Sequence, residues 1–261
     1  MGTSVIRNLL LTVGALALAI CNGASANEPI KIGTTQSLTG HYADFGQEQL
    51  HGLQMWVADV NARGSLLGRR VELVHYDDGS RSARSEEGFR KLIEQDKVDF
   101  LVGPYSSALT LRASAVAEES NFPMVASAAS ADEIWSRGYR NIFGTDTPAS
   151  NYLDGLQAAA DTGSSRLALV YAKSPFAEDV AMGLRSRAAA RGLKIVLDEG
   201  YPPEQLDFSA LAVRLAKVNA DMVLGASYLD DSGAMVRAIR AANVRPKILA
   251  FTVGPALRGF G

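Results

Sequence analysis

Short runs of aliphatic and β-branched residues alternate along this chain with segments whose apolar residues recur every three or four positions. The first run, Ile30 to Thr34, is followed by Leu50, Leu53, Val57 and Val60 at helical spacing. Parallel strands need a crossover connection, which is usually a helix, and this alternation is typical of such βαβ units. The pattern therefore predicts an α/β fold with mostly parallel sheets.

The alternating pattern occurs twice. In the first half, strands are predicted near residues 30–34, 71–76, 99–102 and 124–125, and in the second half near 166–171, 195–197, 222–226 and 248–251. Between the halves, the polar segment Asp146-Thr147-Pro148 is predicted to connect one lobe to the other and to be followed by the start of a helix. We therefore expect two doubly wound lobes, residues 27–145 and residues 146–261, the second of them incomplete because residues 254–261 stop just after a strand.

The first 26 residues have the pattern of a secretory signal peptide. Arg7 is their only charge, and it precedes an apolar run from Leu9 to Ile20 that is shorter than the roughly 20 residues of a membrane span. Ala24-Ser25-Ala26 supplies the small residues of a cleavage site. The sequence thus predicts a signal peptide at residues 1–26 and an exported, periplasmic protein.

Cys21, the one cysteine of the chain, lies within this predicted signal peptide. Its removal would leave a mature protein with no thiol to mispair in an oxidising compartment. A lipid anchor on Cys21 is the competing interpretation, and it is disfavoured because Ile20 occupies a position where a small residue is needed. We therefore expect a periplasmic protein without a lipid anchor.

Charge and motif content argue against nucleic-acid binding and against catalysis. The chain carries 26 basic and 28 acidic residues, interspersed, and so has no basic face for nucleic acid. Its three histidines lack metalloprotease spacing, and no dinucleotide, phosphate-loop or hydrolase-elbow motif is present. We predict a protein that is not an enzyme and has no cofactor or metal, and we assign the adjacent pair Asp77 and Asp78 to turn and helix-cap roles.

Two serine-containing segments follow predicted strands, at the sheet edge where open α/β folds bind ligands. Gly103-Pro104-Tyr105-Ser106-Ser107 enters a helix, so its hydroxyls and the free N–H groups of the helix start suit a carboxylate. Ser127-Ala128-Ala129-Ser130 forms a second platform of small residues. The alternative is that these serines only cap helices.

Aromatic residues follow other predicted strands. Phe45 lies in the loop from Ser37 to Gly46, and Phe176 and Tyr228 follow strands of the second lobe. Together they could cover the apolar body of a ligand, and each of them alone could instead be a packing residue.

The chain resembles the periplasmic leucine/isoleucine/valine-binding proteins, which are type I substrate-binding proteins of ABC importers. The resemblance rests on an ordered series of segments: Ile32-Gly33, Ser37-Leu38-Thr39-Gly40, Asp59 to Gly64, Val74 to Asp78, Gly103 to Ser107, Ser127 to Ser130 and Gln205 to Val218. It implies a two-lobed clamshell of the type I periplasmic-binding-protein fold, which closes on a small ligand and then engages permease subunits in the membrane.

The resemblance also implies roles for particular residues. Ser106 would bind a ligand carboxylate through its hydroxyl and backbone, with Ser107 beside it. Ala128 would bind through its backbone, and Ser130 through hydroxyl and backbone. The aromatic residues Phe45, Phe176 and Tyr228 would surround the ligand.

Two departures from the family pattern stand out. The amino-acid binders carry an acidic residue that pairs with the ligand ammonium, whereas this chain has Thr252-Val253-Gly254 at that place. Asp230 or Asp231 could replace the missing carboxylate. Because a buried ammonium without a charge partner is costly, amide, urea and aromatic-acid ligands also remain open. Family members also continue beyond the length of this chain. If the chain ends at Gly261, apolar surface of the first lobe is expected to be uncovered.

These observations together predict an extracytoplasmic solute-binding protein of an ABC importer. Its ligand would be a hydrophobic or branched-chain amino acid, or a related small carboxylate or amide. Two alternatives remain: a ligand sensor for amides, urea or aromatic acids that reports to a regulator, and a truncated remnant without function.

Overall fold

The computed structural model of the chain describes residues 28–153, 163–257 and 259–260. In these residues nine strands form two sheets. The first sheet contains β1 (Ile30–Gln36), β2 (Val71–Asp77), β3 (Phe100–Val102), β4 (Met124–Ala126) and β5 (Ile142–Gly144), in the order β2-β1-β3-β4-β5. The second contains β6 (Arg166–Ala172), β7 (Lys194–Tyr201), β8 (Met222–Ala226) and β9 (Ile248–Phe251), in the order β7-β6-β8-β9.

Every neighbouring pair of strands within the two sheets is parallel, which confirms the predicted α/β fold with two doubly wound halves. The lobe boundary between residues 145 and 146 stays a prediction. The signal peptide at residues 1–26 and the lipid anchor considered at Cys21 lie outside the described residues.

Helices connect the strands. They are α1 (Ala43–Ala62), α2 (Ser82–Glu94), α3 (Ser107–Glu119), α4 (Asp132–Ser136), α5 (Pro175–Ala190), α6 (Ser209–Val218) and α7 (Leu229–Ala241), with single 3₁₀ turns at Ala149–Asn151 and Gly254–Ala256. Helix α5 begins at Pro175, because proline suits a first helical position and the Ser174 hydroxyl accepts a hydrogen bond from the Ala177 N–H. No helix in the described ranges has the length and apolar character needed to span a membrane.

One face of the first sheet is covered by α2 and α3, and the opposite face is covered only in part, by α1 against β1 and β2. Leu101 and Met124 point toward α2 and α3, where Phe89 and Leu92 are fully buried. On the opposite face, Phe143 is 56% exposed and lies beside the partly exposed Val125, to which it is paired in register. Apolar surface of the first sheet is therefore exposed to solvent.

The turn role predicted for Asp77 and Asp78 is confirmed, because Asp77 accepts from the Gly79 N–H and Asp78 from the Ser80 N–H. The helix-cap role predicted for them is wrong, because Arg81 is the N-cap residue of α2 and no side chain caps that helix.

The buried Asp78 carboxylate accepts hydrogen bonds from the hydroxyls of Ser37 (2.7 Å) and Thr35 (3.0 Å). Asp77 Oδ1 accepts from the backbone N–H of Leu38 at 2.9 Å. These bonds join the end of β1 to the end of β2. They therefore fix the position of the segment that leads from β1 into α1.

The two halves contact each other through both apolar and polar groups. The buried ring of Tyr42, at the start of α1, lies 5.4 Å from the ring of Tyr228 in the second half. On another side, the Asp132 N–H donates to Asp179 Oδ2 at 2.8 Å. Burial raises the pKa of Asp179, and the nearby charges of Asp132, Glu133 and Glu178 raise it further.

This contact predicts a pH-dependent effect of Asp179→Asn. A carboxyl whose pKa is raised by folding contributes stability below its unfolded pKa of about 3.9, and that contribution is lost as pH rises through the folded value. An asparagine oxygen still accepts the Asp132 N–H but carries no charge. The melting temperature of the variant, relative to that of the unmodified protein, should therefore increase from pH 4 to pH 7 in thermal denaturation.

Asp207→Asn is the matched control, because the Ser209 N–H donates to Asp207 and lowers its pKa. The contribution of Asp207 to stability therefore has the opposite pH dependence. Folding favours its charged form, and the resulting stabilisation is present above the unfolded pKa. The Asp207 variant should lose stability relative to the unmodified protein as pH rises over the same range. An Asp179 variant with a pH-independent difference would contradict the interpretation.

Candidate functional site

A cavity of about 260 Å³ lies between the two sheets. It adjoins the carboxyl ends of β3 and β4 on one side and of β6, β8 and β9 on the other, which is the edge where open α/β sheets bind ligands. Its walls are formed by Tyr105, Ser106, Ser107, Ser127, Ala128, Ser130, Asp146, Tyr152, Phe176, Tyr228 and Val253. The volume is just below the range of about 300–1,000 Å³ typical of drug-sized ligands, so a small molecule fits.

Most of the residues that the sequence analysis predicted to bind a ligand line this cavity. These are Ser106, Ser107, Ala128, Ser130, Phe176 and Tyr228. Phe45 is the exception: its ring does not line the cavity but stacks on Tyr105, with ring centroids 4.6 Å apart and planes 2° from parallel. Tyr105 forms the wall where Phe45 was expected, because α1 places Phe45 behind that ring.

The Ser107 hydroxyl joins the two serine platforms. Ser107 is buried, and its Oγ accepts hydrogen bonds from the backbone N–H groups of Ser130 and Ala131, both at 3.0 Å. The Ser106 N–H likewise donates to the Ala128 carbonyl at 3.3 Å. The backbone groups of Ser106, Ala128 and Ser130 that were expected to face a ligand therefore include several that bond within the platform in this structure.

Ser106 has an unused hydroxyl and a rare backbone conformation. The residue is only 4% exposed, and among the described residues its Oγ makes no hydrogen bond of normal geometry, although it is close enough to the Tyr42 hydroxyl to lower the pKa of Tyr42, which burial raises. Its φ of 90° and ψ of 152° lie in a region that is essentially restricted to glycine. A strained residue with an unsatisfied buried hydroxyl on a cavity wall is typical of a ligand contact.

Helix α3 begins directly after Ser106. Its first intrahelical hydrogen bond runs from the Thr110 N–H to the Ser106 carbonyl at 3.0 Å. The N–H groups before Thr110 come too early in the helix for an intrahelical acceptor, and together with the helix dipole they favour an anion. The unpaired Ser106 hydroxyl and this 13-residue helix thus create one polar end of the cavity suited to a carboxylate.

Aromatic rings form the apolar walls. The Tyr152 and Phe176 rings meet edge to face at 5.0 Å, and Tyr228 follows at 6.2 Å from Phe176. Burial raises the pKa of Tyr228 and of Tyr105 well above the usual value, so both phenols remain neutral. The Tyr228 hydroxyl bonds to Ser174 Oγ at 3.0 Å, which holds its ring in place.

Asp146 is a cavity residue that the sequence reading missed. It is half-buried, its Oδ2 lies 3.5 Å from Ser130 Oγ, and burial raises its pKa while the nearby Ala129 backbone lowers it. Ser130 Oγ in turn lies 3.1 Å from the hydroxyl of Tyr152, another missed residue. Asp146 belongs to the segment that the sequence analysis assigned only as a connection between the lobes, and Tyr152 follows that segment. The signal available for Asp146 was its place in a polar segment that connects the two lobes. Such a segment runs past the cleft between the lobes, so its polar side chains are candidates for the cleft wall.

The carboxylates expected to replace the missing family residue do not face the cavity. Asp231 is buried and accepts from the Tyr201 hydroxyl (2.8 Å) and the Tyr228 N–H (2.7 Å), while Asp230 is exposed on α7. The hydroxyl of Thr252 donates to the Ser227 carbonyl at 2.8 Å and accepts from the Ser227 N–H at 3.0 Å. These side chains join β8, β9 and α7 and leave the cavity wall to Val253.

The cavity walls have few reactive groups. Among the lining residues that the structure describes, none is lysine, arginine or histidine, and Asp146 is the one carboxylate. Across the part of the chain that the structure describes, no three His, Cys, Asp or Glu side chains converge as a metal site would require. The arrangement can bind a small molecule through neutral donors at one end, a carboxylate at the other and aromatic rings between them.

Comparison with known proteins places these features in a family. The family described as periplasmic binding protein matches residues 29–257. The Leu/Ile/Val-binding protein of Escherichia coli is 29% identical over 252 residues, covering 94% of this chain and 66% of its own length.

Solved structures share the fold. The branched-chain amino acid transporter substrate binding protein LivJ from Streptococcus pneumoniae, in complex with isoleucine, superimposes with a TM-score of 0.77 at 24% identity, over 85% of this chain and 64% of LivJ. A solute binding protein of an R. palustris ABC transporter, in complex with 4-hydroxybenzoate, gives 0.75 at 24% identity, over 85% and 61%. The chain therefore spans just under two thirds of the length of these relatives.

The backbone of Ser106 predicts that glycine stabilises the protein at this position. Strain in this region costs about 1–3 kcal/mol, whereas glycine adopts the conformation freely and loses about 0.5–1 kcal/mol through its greater unfolded-state entropy. Because the Ser106 hydroxyl makes no normal hydrogen bond, its removal should cost little. In chemical denaturation, Ser106→Gly should raise the free energy of unfolding by about 1 kcal/mol.

Ser107→Ala provides the opposite case at the neighbouring position. This change removes the acceptor of two buried N–H groups and should lower the free energy of unfolding by about 1–3 kcal/mol. Equal destabilisation by the two variants would show that Ser106 is unstrained.

Proposed function

Because this chain belongs to the periplasmic binding protein family, we propose that it is an extracytoplasmic solute-binding protein of an ABC importer. It binds a small hydrophobic amino acid, or a related small carboxylate or amide, and catalyses no reaction. The observation that carries this proposal is the buried, unpaired Ser106 hydroxyl at the N-terminus of α3, on the wall of a cavity between two sheets.

The carboxylate end of the ligand lies against Ser106. An anion there accepts a hydrogen bond from the Ser106 hydroxyl and from the first-turn N–H groups of α3, so that the buried hydroxyl gains the partner it lacks. The helix dipole adds to this stabilisation. The Ser107 hydroxyl holds the Ser130 loop beside this end of the cavity through its two accepted bonds.

The apolar body of the ligand lies against the aromatic rings. Tyr105 belongs to the first half, Phe176 and Tyr228 to the second, and Tyr152 to the connection, so a bound ligand contacts every part of the clamshell. A ligand that touches both halves at once favours the arrangement in which they are close. Ligand capture therefore shifts the population toward a form with the two halves in contact.

The loaded form is recognised by permease subunits in the membrane, and residues 1–26 direct the protein to the periplasm. Support for this step comes from the family and from the names of the relatives, which include a Leu/Ile/Val-binding protein and a transporter substrate binding protein.

The test is isothermal titration of the purified chain with leucine, isoleucine, valine, phenylalanine, benzoate, aliphatic amides and urea. Ser106→Ala should weaken binding of the preferred ligand by about 1–3 kcal/mol, because a desolvated donor is lost. Ser136→Ala, an exposed serine outside the cavity, is the control and should leave the affinity unchanged.

Failure of every compound in this panel to bind the folded protein would refute the proposed ligand class. Full affinity in the Ser106 variant would instead refute the assignment of the carboxylate end. A melting temperature raised by the ligand would confirm that the compound binds the folded form.

A further inference from the structure

We infer that Tyr42 is a positioning residue for ligand binding, because its ring joins the two halves behind the cavity and favours their contact without touching the ligand. Within the part of the chain that the structure describes, Tyr42 does not line the cavity. The inference rests on the proposed function and goes beyond it, since it assigns part of the closure to a contact made by the protein alone.

The backbone of Tyr42 is fixed to the first half. Its N–H donates to Ser80 Oγ at 3.0 Å, and the same hydroxyl donates to the Thr39 carbonyl at 2.8 Å. The Ser80 N–H donates to Asp78 at 2.9 Å, and the Tyr42 carbonyl accepts from the Gly46 N–H at the start of α1, also at 2.9 Å. The position of Tyr42 therefore follows the first sheet.

The ring of Tyr42, in contrast, is buried among residues of the second half. It is 7% exposed, and in the hydrophobic cluster around it the other buried members come from the second half or the connection, with the exception of Leu109. Tyr228 lies 5.4 Å from this ring, and the His41 ring meets Tyr228 edge to face at 5.7 Å. Separation of the two halves would break these contacts and expose the rings to water.

Tyr42 contacts one cavity wall from each half. Besides Tyr228, it lies 5.6 Å from the ring of Tyr105, with the two planes at 64°. Both of these partners line the cavity. The side chains of Ser106 and Tyr228 are close enough to lower the pKa of Tyr42, which burial raises. The Tyr42 ring thus supports the two cavity walls from behind and holds them beside each other.

The ring contact and a bound ligand favour the same arrangement of the halves. An aromatic pair contributes a factor of about 2 to 10 to an equilibrium constant beyond the burial of its surface. The apparent Kd equals the intrinsic Kd divided by the fraction of the protein in the binding-competent arrangement. A ring that increases this fraction tightens the binding of every ligand by one common factor, whereas a residue that touches the ligand discriminates between ligands.

The first test compares affinities in isothermal titration with the panel given above. Tyr42→Leu should weaken the binding of every ligand that the unmodified protein binds, by one common factor of about 2 to 10. Tyr42→Phe retains the ring and should retain most of the affinity. Phe89→Leu removes a fully buried ring from a cluster of first-half residues, and it should lower the melting temperature and leave the affinity unchanged.

A milder variant keeps this test decisive if Tyr42→Leu does not fold. His41 is half-buried, and His41→Leu removes only its edge-to-face contact with Tyr228. This variant should weaken the binding of all ligands by a common factor that is smaller than the one expected for Tyr42→Leu.

The second test needs no ligand. A double-mutant cycle combines Tyr42→Leu with Tyr228→Leu and measures unfolding by chemical denaturation. Because the two rings touch, the double variant should differ from the sum of the single effects by a factor of about 2 to 10 in the unfolding equilibrium constant. Tyr42→Leu and Phe89→Leu lie in different clusters and should be additive.

Two results of the first test would overturn the inference and leave the proposed function intact. One is unchanged affinity in a folded Tyr42→Leu protein, or in His41→Leu where the first variant does not fold, and the other is a loss that differs between ligands. Absence of binding to any compound would refute the proposed function, and the cycle then decides the inference alone. Additivity of the Tyr42 and Tyr228 variants would overturn it in either case.

Discussion

The hydrogen bonds accepted by the Ser107 hydroxyl hold together the wall of the cavity on the first sheet. Strands β3 and β4 are neighbours and parallel, so the loops that follow them leave the same edge of the sheet. Ser107, the first residue of α3 after one of these loops, accepts from Ser130 and Ala131 of the other. Because both donors are buried, this bridge fixes the distance between the start of α3 and the platform beside it, and the cavity takes its shape from that distance.

This wall leaves two polar groups without full compensation. Most buried polar groups in proteins have hydrogen-bond partners, yet the Ser106 hydroxyl has none of normal geometry and the Asp146 carboxylate has no cation. Both face the same small cavity. The interactions that stabilise the fold, such as those of Ser107 and Asp78, are formed within the protein. The protein thus separates the groups that maintain its shape from those available to a ligand.

Much of the fold followed from local pattern. The strands Met222–Ala226 and Ile248–Phe251 have the predicted bounds, because each is a continuous apolar run, although only the first is fully buried. The strand predicted at residues 195–197 is longer, Lys194–Tyr201, since it lies at the edge of the second sheet, where polar residues are tolerated. The short strand β5 was not identified, although β3 and β4, which are equally short, were.

The residues at strand ends were predictable for the same reason. A parallel sheet collects the carboxyl ends of its strands at one edge, so Ser106, Ser130, Phe176 and Tyr228 could be nominated from their positions along the chain. The prediction that Phe45 contacts the ligand was wrong, because residue spacing does not show whether a ring faces a cavity or packs on a neighbouring ring.

The sequence by itself determined the alternation of strands and helices, the parallel sheets and the strand ends at which small and aromatic residues collect, because these depend on local periodicity. Only the tertiary structure decided which polar groups remain free. Asp231 and Thr252 are bonded to neighbours distant in the chain, whereas Asp146 comes from a connecting segment and reaches the cavity. Hydrogen-bond saturation depends on contacts between segments far apart in sequence, and no local pattern encodes it.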